Sequence, residues 1–367
     1  MTKNNFSVLI TVGENNLLMF VVHCLSQVKG IKIYIIGRKE FSDIKHSNKI
    51  SNYTYYPNLN DGVNWVEGIK KEIEKFNIDL IMPIDEYGIR KTIKYRDLIV
   101  PLCKVVILPS LESFDIANDK ELLWKHMQEH EIPCPKTYLS SEMLNEDIIS
   151  FPVLIKPIEG GGGKGIFTIK NKEAYRDYFL DNKINYSYLI QSYITGYDID
   201  CSVLCDKGQV LAYTIQKGTL VGENDFVPKI GVEFLINEEL LAIVKKLMLS
   251  LNWSGLAHID MRFDKNDNTF KVIEINPRCW ESIEASEIAG VNFPYLHALK
   301  SLNFEFDKPK YKQIKYLNLL GLSKTFKNNK WFLFNFRFIL NNTPIKYFKK
   351  DPLPLLYIIY YKIKSLF

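Results

Sequence analysis

Two short stretches hold most of the side chains able to do chemistry. The first is Phe151–Lys170, where an apolar run ending at Lys156 leads into Gly160, Gly161, Gly162, Gly163 and Gly165, with Lys164 set among them. Glycine has no Cβ, so the N–H groups of such a loop can close on an anion, and the two lysines add charge; the stretch reads as a phosphate cradle. A nucleoside-triphosphatase loop needs Gly-Lys followed by Ser or Thr and then a helix. Here Gly165 follows Lys164 and Ile166–Ile169 has a strand pattern, so the element is expected to be a strand–loop–strand hairpin lying over a triphosphate as a lid. The alternative is a flexible glycine linker.

The second stretch is Gly255–Asn276. Gly255–Asp264 and Phe270–Asn276 read as two antiparallel strands joined by a turn at Asn266–Asn268. Strand alternation puts Glu274 and Asn276 on one face, and Asp260 can face them from the neighbouring strand. Two carboxylates and an amide oxygen suit Mg²⁺ when it bridges a nucleotide to a protein, with Mn²⁺ as a substitute; Arg278 can reach the same phosphates. His258 shares the face of Asp260, where it either steadies a charged intermediate or simply packs. Taken alone, the acidic residues read equally well as a solvated edge.

The elements that must position these residues follow from periodicity. Residues 6–12, 31–36, 79–83 and 105–108 are expected as strands, with a turn at Gly13-Glu14-Asn15 and a helix at Leu17–Val28. Ile84–Gly88 falls at the carboxyl end of a strand, where α/β sheets place ligand-facing loops. The first turn lacks the glycine fingerprint of dinucleotide folds, which argues against a nicotinamide or flavin cofactor. A helix is expected at Glu121–His130, a helix around Glu173–Phe179, and a strand at Ser187–Ser192. Tyr193–Asp200 is read as a turn, Cys201–Cys205 and Gln209–Gln216 as a hairpin, Lys217–Gly231 as a long functional loop, and Glu238–Leu251 as a helix. The fold class is therefore α/β and α+β. Four units are expected: an N-terminal Rossmann-like parallel-sheet domain (1–112), a small lid domain (113–190), an antiparallel-sheet domain (191–305) and a basic, aromatic helical tail (306–367).

At 47% hydrophobic and 24% charged residues, the composition is that of a globular protein rather than a disordered or membrane-spanning one. The six cysteines are scattered without C-x-x-C or zinc spacing, so neither a disulfide framework nor a zinc site is expected. No apolar leader follows Met1, which points to a cytoplasmic address. From Tyr311 onward eleven lysines and arginines face one acid, Asp351, a net +10 in a chain whose total is +5. Aromatic residues crowd the same stretch. Basic plus aromatic suggests contact with the inner membrane surface; packing on the body or on a second subunit of a homodimer is the competing reading, and no nucleic-acid module accompanies the charge.

Together, the glycine hairpin, the acidic strand pair and Asn276-Pro277-Arg278 resemble, in that order along residues 1 to about 300, the ATP-grasp superfamily of carboxylate-activating ligases. Asn276–Ser282 with Ala285–Gly290 and Phe293-Pro294 looks like carbamoyl phosphate synthetase and its single-module relatives, whereas the glycine loop looks like that of biotin carboxylase. The resemblance implies that Lys120 and Lys156 contact the ATP phosphates, that Gly160–Gly165 with Lys164 form the lid loop, and that Gln191, Ser192, Tyr193 and Ile194 form the adenine hinge. Asp198 would take the ribose, Asp260, Glu274 and Asn276 the Mg²⁺, and Arg278 the transferring phosphoryl group; with His258, named above from its position, Lys156 and Arg278 make up the candidate catalytic residues. Gln191 and Asp198 stand where the family usually has glutamate; Gln191 keeps an acceptor for the adenine amine, while Asp198 is one methylene short. The implied activity joins a small-molecule carboxylate to an amine through an acyl phosphate, and some such relatives act on amino acids or on sugar acids of cell-surface polysaccharides. Kinase-like or biotin-carboxylase-like phosphotransfer, and a non-catalytic ATP-binding assembly protein, are the rivals.

Overall fold

The computed structural model of the chain describes residues 5–12, 17–40, 42–59, 62–138, 146–158, 163–181, 188–222 and 229–364. The first sheet comprises β1 (Ser7–Val12), β2 (Lys32–Gly37), β3 (Asn52–Tyr55), β4 (Leu80–Pro83) and β5 (Lys104–Val105), all parallel in the order β3-β2-β1-β4-β5. Val8 and Ile10 pack on one face, Leu9 and Ile36 on the other, and all four are fully buried. Burial on both faces explains why these strands read as continuous apolar runs rather than alternating ones. Strand β3 and the helix Gly62–Phe76 lie outside the sequence expectation. Asn52–Tyr55 is polar and only partly buried, and Gly62 and Gly68 look like breaks; a Cβ at either would press into a ring, Tyr95 or Tyr56.

The second, small sheet holds β6 (Thr137–Tyr138), β7 (Val153–Pro157), β8 (Phe167–Ile169) and β9 (Tyr188–Ser192), in the order β6-β9-β7-β8. The expected hairpin is therefore present, β7 pairing antiparallel with β8 through Val153–Ile155, while Gly160, Gly161 and Gly162 lie outside the described residues. The helix Lys172–Asp181 covers it through Tyr175. Before this sheet, helix Leu111–Asn118 is followed by helix Lys120–Glu129, which Asp119 caps by accepting from the N–H groups of Glu121 and Leu122.

The third sheet comprises β10 (Gly196–Asp206), β11 (Gln209–Leu220), β12 (Gly231–Leu235), β13 (Gly255–Asp264), β14 (Thr269–Asn276) and β15 (Lys315–Leu317), ordered β14-β13-β10-β11-β12-β15. The helix Glu238–Ser250 buries Leu240, Leu241, Val244, Leu247 and Met248 against it. Two expectations change here. Strand β10 begins at Gly196, inside the expected turn, because a Cβ at that position would lie 1.7 Å from the Phe263 carbonyl oxygen: the glycine permits close strand approach rather than a bend. Strand β11 continues to Leu220, which takes Lys217–Leu220 out of the expected loop, of which residues 223–228 lie outside the described set, as does the expected Gly13–Asn15 turn. Beyond residue 306 the chain is only partly an appendage. Strand β15 completes the third sheet against β12, and Tyr347 is buried, stacking on His23 with ring centroids 4.6 Å apart.

Candidate active site

The lysines of the small sheet and the acids of the third sheet line one cavity of about 530 Å³, a size within the usual range for small-molecule sites, about 300–1,000 Å³. Its wall includes Lys120, Lys156, Gly163, Lys164, Gln191, Ser192, Tyr193, Ile194, Asp198, His258, Asp260, Glu274, Asn276 and Arg278. Of the site residues expected from sequence, only Gly160–Gly162, which are outside the described set, and Gly165 are missing from it.

Lys156 is the penultimate residue of β7, and only 6% of its surface is exposed. Its Nζ donates to Gln191 Oε1 of the neighbouring strand at 2.7 Å. Burial, reinforced by the charges of Lys120 and Arg262 and opposed by Glu274 and Asp260, pulls the ammonium down to about 8. Gln191 thus holds the lysine with its oxygen, and its amide nitrogen donates to Thr137 Oγ1 at 3.2 Å. The glutamine in place of glutamate leaves Lys156 without a buried counter-ion at contact distance on this side. Lys120, at the start of its helix, lies 3.7 Å from Glu274 Oε2 and bridges the two sheets.

The acidic wall is set by register. Asp200 on β10, Asp260 on β13 and Glu274 on β14 are directly paired across three adjacent strands, so their carboxylates stand side by side. Burial first, then Asp200 and Glu274, push the Asp260 carboxyl well above the usual range; burial and Asp198 raise Asp200 to about 7. Asp200, absent from the sequence expectation because it was read as part of a turn, sits with His258 and Asp260 so that one ligand atom of each lies within 4.8 Å of the others. Asn276 donates its amide nitrogen to Asp260 Oδ2 at 3.1 Å and offers its oxygen to Arg278 Nη2 at 3.1 Å. Crowded, half-buried carboxylates of like charge fit a divalent cation, whose charge removes their mutual repulsion.

His258 is buried between functions. Its Nε2 is 3.2 Å from Asp260 Oδ1, its Nδ1 is 2.9 Å from Ser202 Oγ, and its ring stacks on Trp280 at 5.5 Å. Burial, and then Arg278, pull the imidazole down to about 3, so it is neutral at physiological pH. Arg278 pairs through Nε with Glu86 Oε1 at 2.5 Å. Glu86 begins a helix at the carboxyl end of β4, the loop flagged from sequence, though its partnership with a residue 192 positions away carried no local signal. Asp198 ion-pairs with Arg262 Nη1 and with Lys229 Nζ, the latter at 2.5 Å. Both cations were missed from sequence, and they occupy the carboxylate expected to meet a ribose.

Residues 117–282 match the ATP-grasp domain family. The chain is 25% identical over 287 residues to the carbamoyl phosphate synthase large chain of Clostridium beijerinckii, a match covering 74% of this chain and 26% of that protein. The chain thus spans about a quarter of that relative's length. Its fold is similar to L-amino acid ligase from Bacillus licheniformis, with TM-score 0.61, 19% identity and coverage of 84% of this chain and 76% of that one. It is also similar to N5-carboxyaminoimidazole synthetase from Staphylococcus aureus, complexed with ADP, with TM-score 0.69, 17% identity and coverage of 90% and 88%.

Proposed function

We propose that the protein is an ATP-dependent ligase that joins a small-molecule carboxylate to an amine. The observation that carries this reading is the opposition of Lys120 and Lys156 to Asp200, Asp260 and Glu274 across one cavity. A substrate carboxylate oxygen attacks the γ-phosphorus of ATP, the bond to the β-phosphate oxygen breaks, and ADP leaves. The amine then attacks the acyl carbon, phosphate leaves with the bonding pair, and the amine's proton passes to solvent or a nearby base. No side chain becomes covalently linked.

Lys156 and Lys120 hold and neutralise the phosphates, Gly163 and Lys164 add backbone N–H groups and charge from the hairpin, and Gln191–Ile194 border the nucleotide base. Asp260 and Glu274, with Asp200 beside them, would hold Mg²⁺, which would supply charge neutralisation at the phosphate oxygens; the Asn276 oxygen, now held by Arg278, would join them when Arg278 turns to phosphate. Arg278 is assigned to the transferring phosphoryl group, which would draw it from Glu86. Neutral His258 has a single N–H, and with Nε2 on Asp260 and Nδ1 on Ser202 its part is to hold that carboxylate in position. ATP supply puts the enzyme in the cytoplasm. An amino acid is the carboxylate class favoured by the likeness to L-amino acid ligase, with a sugar acid as the second class to include in the test.

The test is ADP release over a panel of carboxylates crossed with amines. Release that needs both substrates supports the ligase. ADP formed with a phosphorylated hydroxyl product means a kinase, and tight ATP binding without turnover on any pair means a nucleotide sensor; either overturns it.

A further inference from the structure

The charge and aromatic crowding of the last part of the chain are only partly absorbed by packing. Strand β15 and the segment around Tyr347 dock on the body, and the lone acid is inside: Asp351 is 2% exposed and accepts from Ser47 Oγ and from the Asn48 N–H. Between them, Trp331, Phe334 and Phe336 stand 78%, 67% and 64% exposed, with Leu320 and Leu333 exposed near them in sequence. The rings touch one another rather than the core: Trp331 and Phe334 centroids are 5.7 Å apart, Phe334 and Phe336 6.4 Å. Exposed rings and a buried carboxylate reverse the usual partition, and a contiguous apolar patch of this kind marks an interaction surface.

What it meets is indicated by its flanks. Lys324, Lys327, Lys330 and Arg337 are exposed on the same short segment, which has no acidic residue. A two-fold contact between copies would set this patch against itself, cation against cation, and protein interfaces deplete lysine. An anionic lipid surface accepts both features, rings at the headgroup level and each cation contributing a factor of about five in partition. Among the described residues no helix is long and apolar enough to cross a membrane, so the contact is peripheral. We propose that residues 320–337 form a docking knuckle for an anionic bilayer, with Trp331, Phe334 and Phe336 entering the interface. The same segment is tied to the site. Asn318, two residues before it, lines the cavity, and Lys324 Nζ donates to the Val221 carbonyl.

The full chain is sedimented with phosphatidylcholine vesicles with and without phosphatidylserine. Wild type should pellet with the mixed vesicles only, less as salt rises. The variant W331S/F334S/F336S should lose at least tenfold in partition, and K327E/K330E/R337E should lose the phosphatidylserine dependence, both with unchanged melting temperature. These side chains are exposed, so folding is expected to survive; melting and ATP binding are measured on each variant, and only variants that match wild type in both are scored. The proposal is overturned if wild type stays in the supernatant, or if wild type and the folded variants pellet alike. It is equally overturned if the aromatic variant instead breaks a dimer seen by sedimentation velocity, which would make the patch a self-interface. None of these outcomes depends on whether the cleft ligates anything.

Discussion

The two walls of the cleft are built differently. The acidic wall belongs to a six-stranded sheet in which β10 and β13 pair without interruption from Gly196↔Asp264 to Cys205↔Gly255. The cationic wall belongs to a four-stranded sheet in which β7 pairs with β9 through Val153–Pro157 but with β8 through Val153–Ile155 alone. Moving Asp260 relative to both Asp200 and Glu274 means breaking two long ladders, whereas the lysine wall rests on shorter ones and its β8 edge is expected to open at lower free energy. A metal ligand set gains from fixed geometry and a phosphate clamp from freedom to close, so the division suits the chemistry.

The contrast can be broken by experiment. The largest effect is expected at Arg278, which belongs to neither ladder. Arg278→Ala should lower turnover roughly a thousandfold while leaving ATP affinity within a few-fold, read by comparing kcat with the nucleotide Kd. The cationic wall should then show itself through pH. Lys156 is held near 8, below its ordinary 10.5, by burial. Phosphate binding favours the charged form, so ATP affinity should fall up to about tenfold per unit as pH rises above 8. The sign for folding is opposite: the cost of burying the charge is full below 8 and fades toward 10.5, so this group makes the nucleotide-free protein more stable over that window. Titration calorimetry at about pH 8.5 in two buffers should show proton uptake on binding, absent in Lys156→Met. The smallest effect is expected in the hairpin. Gly165 has φ +73° with room for a Cβ, 3.6 Å from Pro157 Cγ. Gly165→Ala should therefore add only backbone strain of about 1 kcal/mol and weaken ATP about fivefold, a loss absent when Mg²⁺ binding alone is followed.

Much of the two walls was legible because their signals are local. A run of glycines between strands and a strand alternation carrying Asp260, Glu274 and Asn276 are visible within twenty-odd residues. Asp200 was not, since Gly196 reads as a turn unless the carbonyl of Phe263 is known to lie against it. Glu86 and Lys229 escaped for a related reason: each meets its partner, Arg278 or Asp198, across a distance in sequence that no period records. Strand β15 was hidden inside a stretch whose charge drew attention to its surface, though Tyr316 is buried with its hydroxyl 2.7 Å from Glu284 Oε1. Long-range pairing sets these positions, and sequence alone carries little of it.

The central claim is that one nucleotide spans both walls with a metal at the acidic one. ATP affinity measured with and without Mg²⁺ on wild type, Lys156→Met and Glu274→Gln tests it most directly. Lys156→Met should weaken binding in both conditions, and Glu274→Gln should weaken it only when Mg²⁺ is present. An unchanged Mg²⁺ dependence in Glu274→Gln, with the variant folded, would contradict the account.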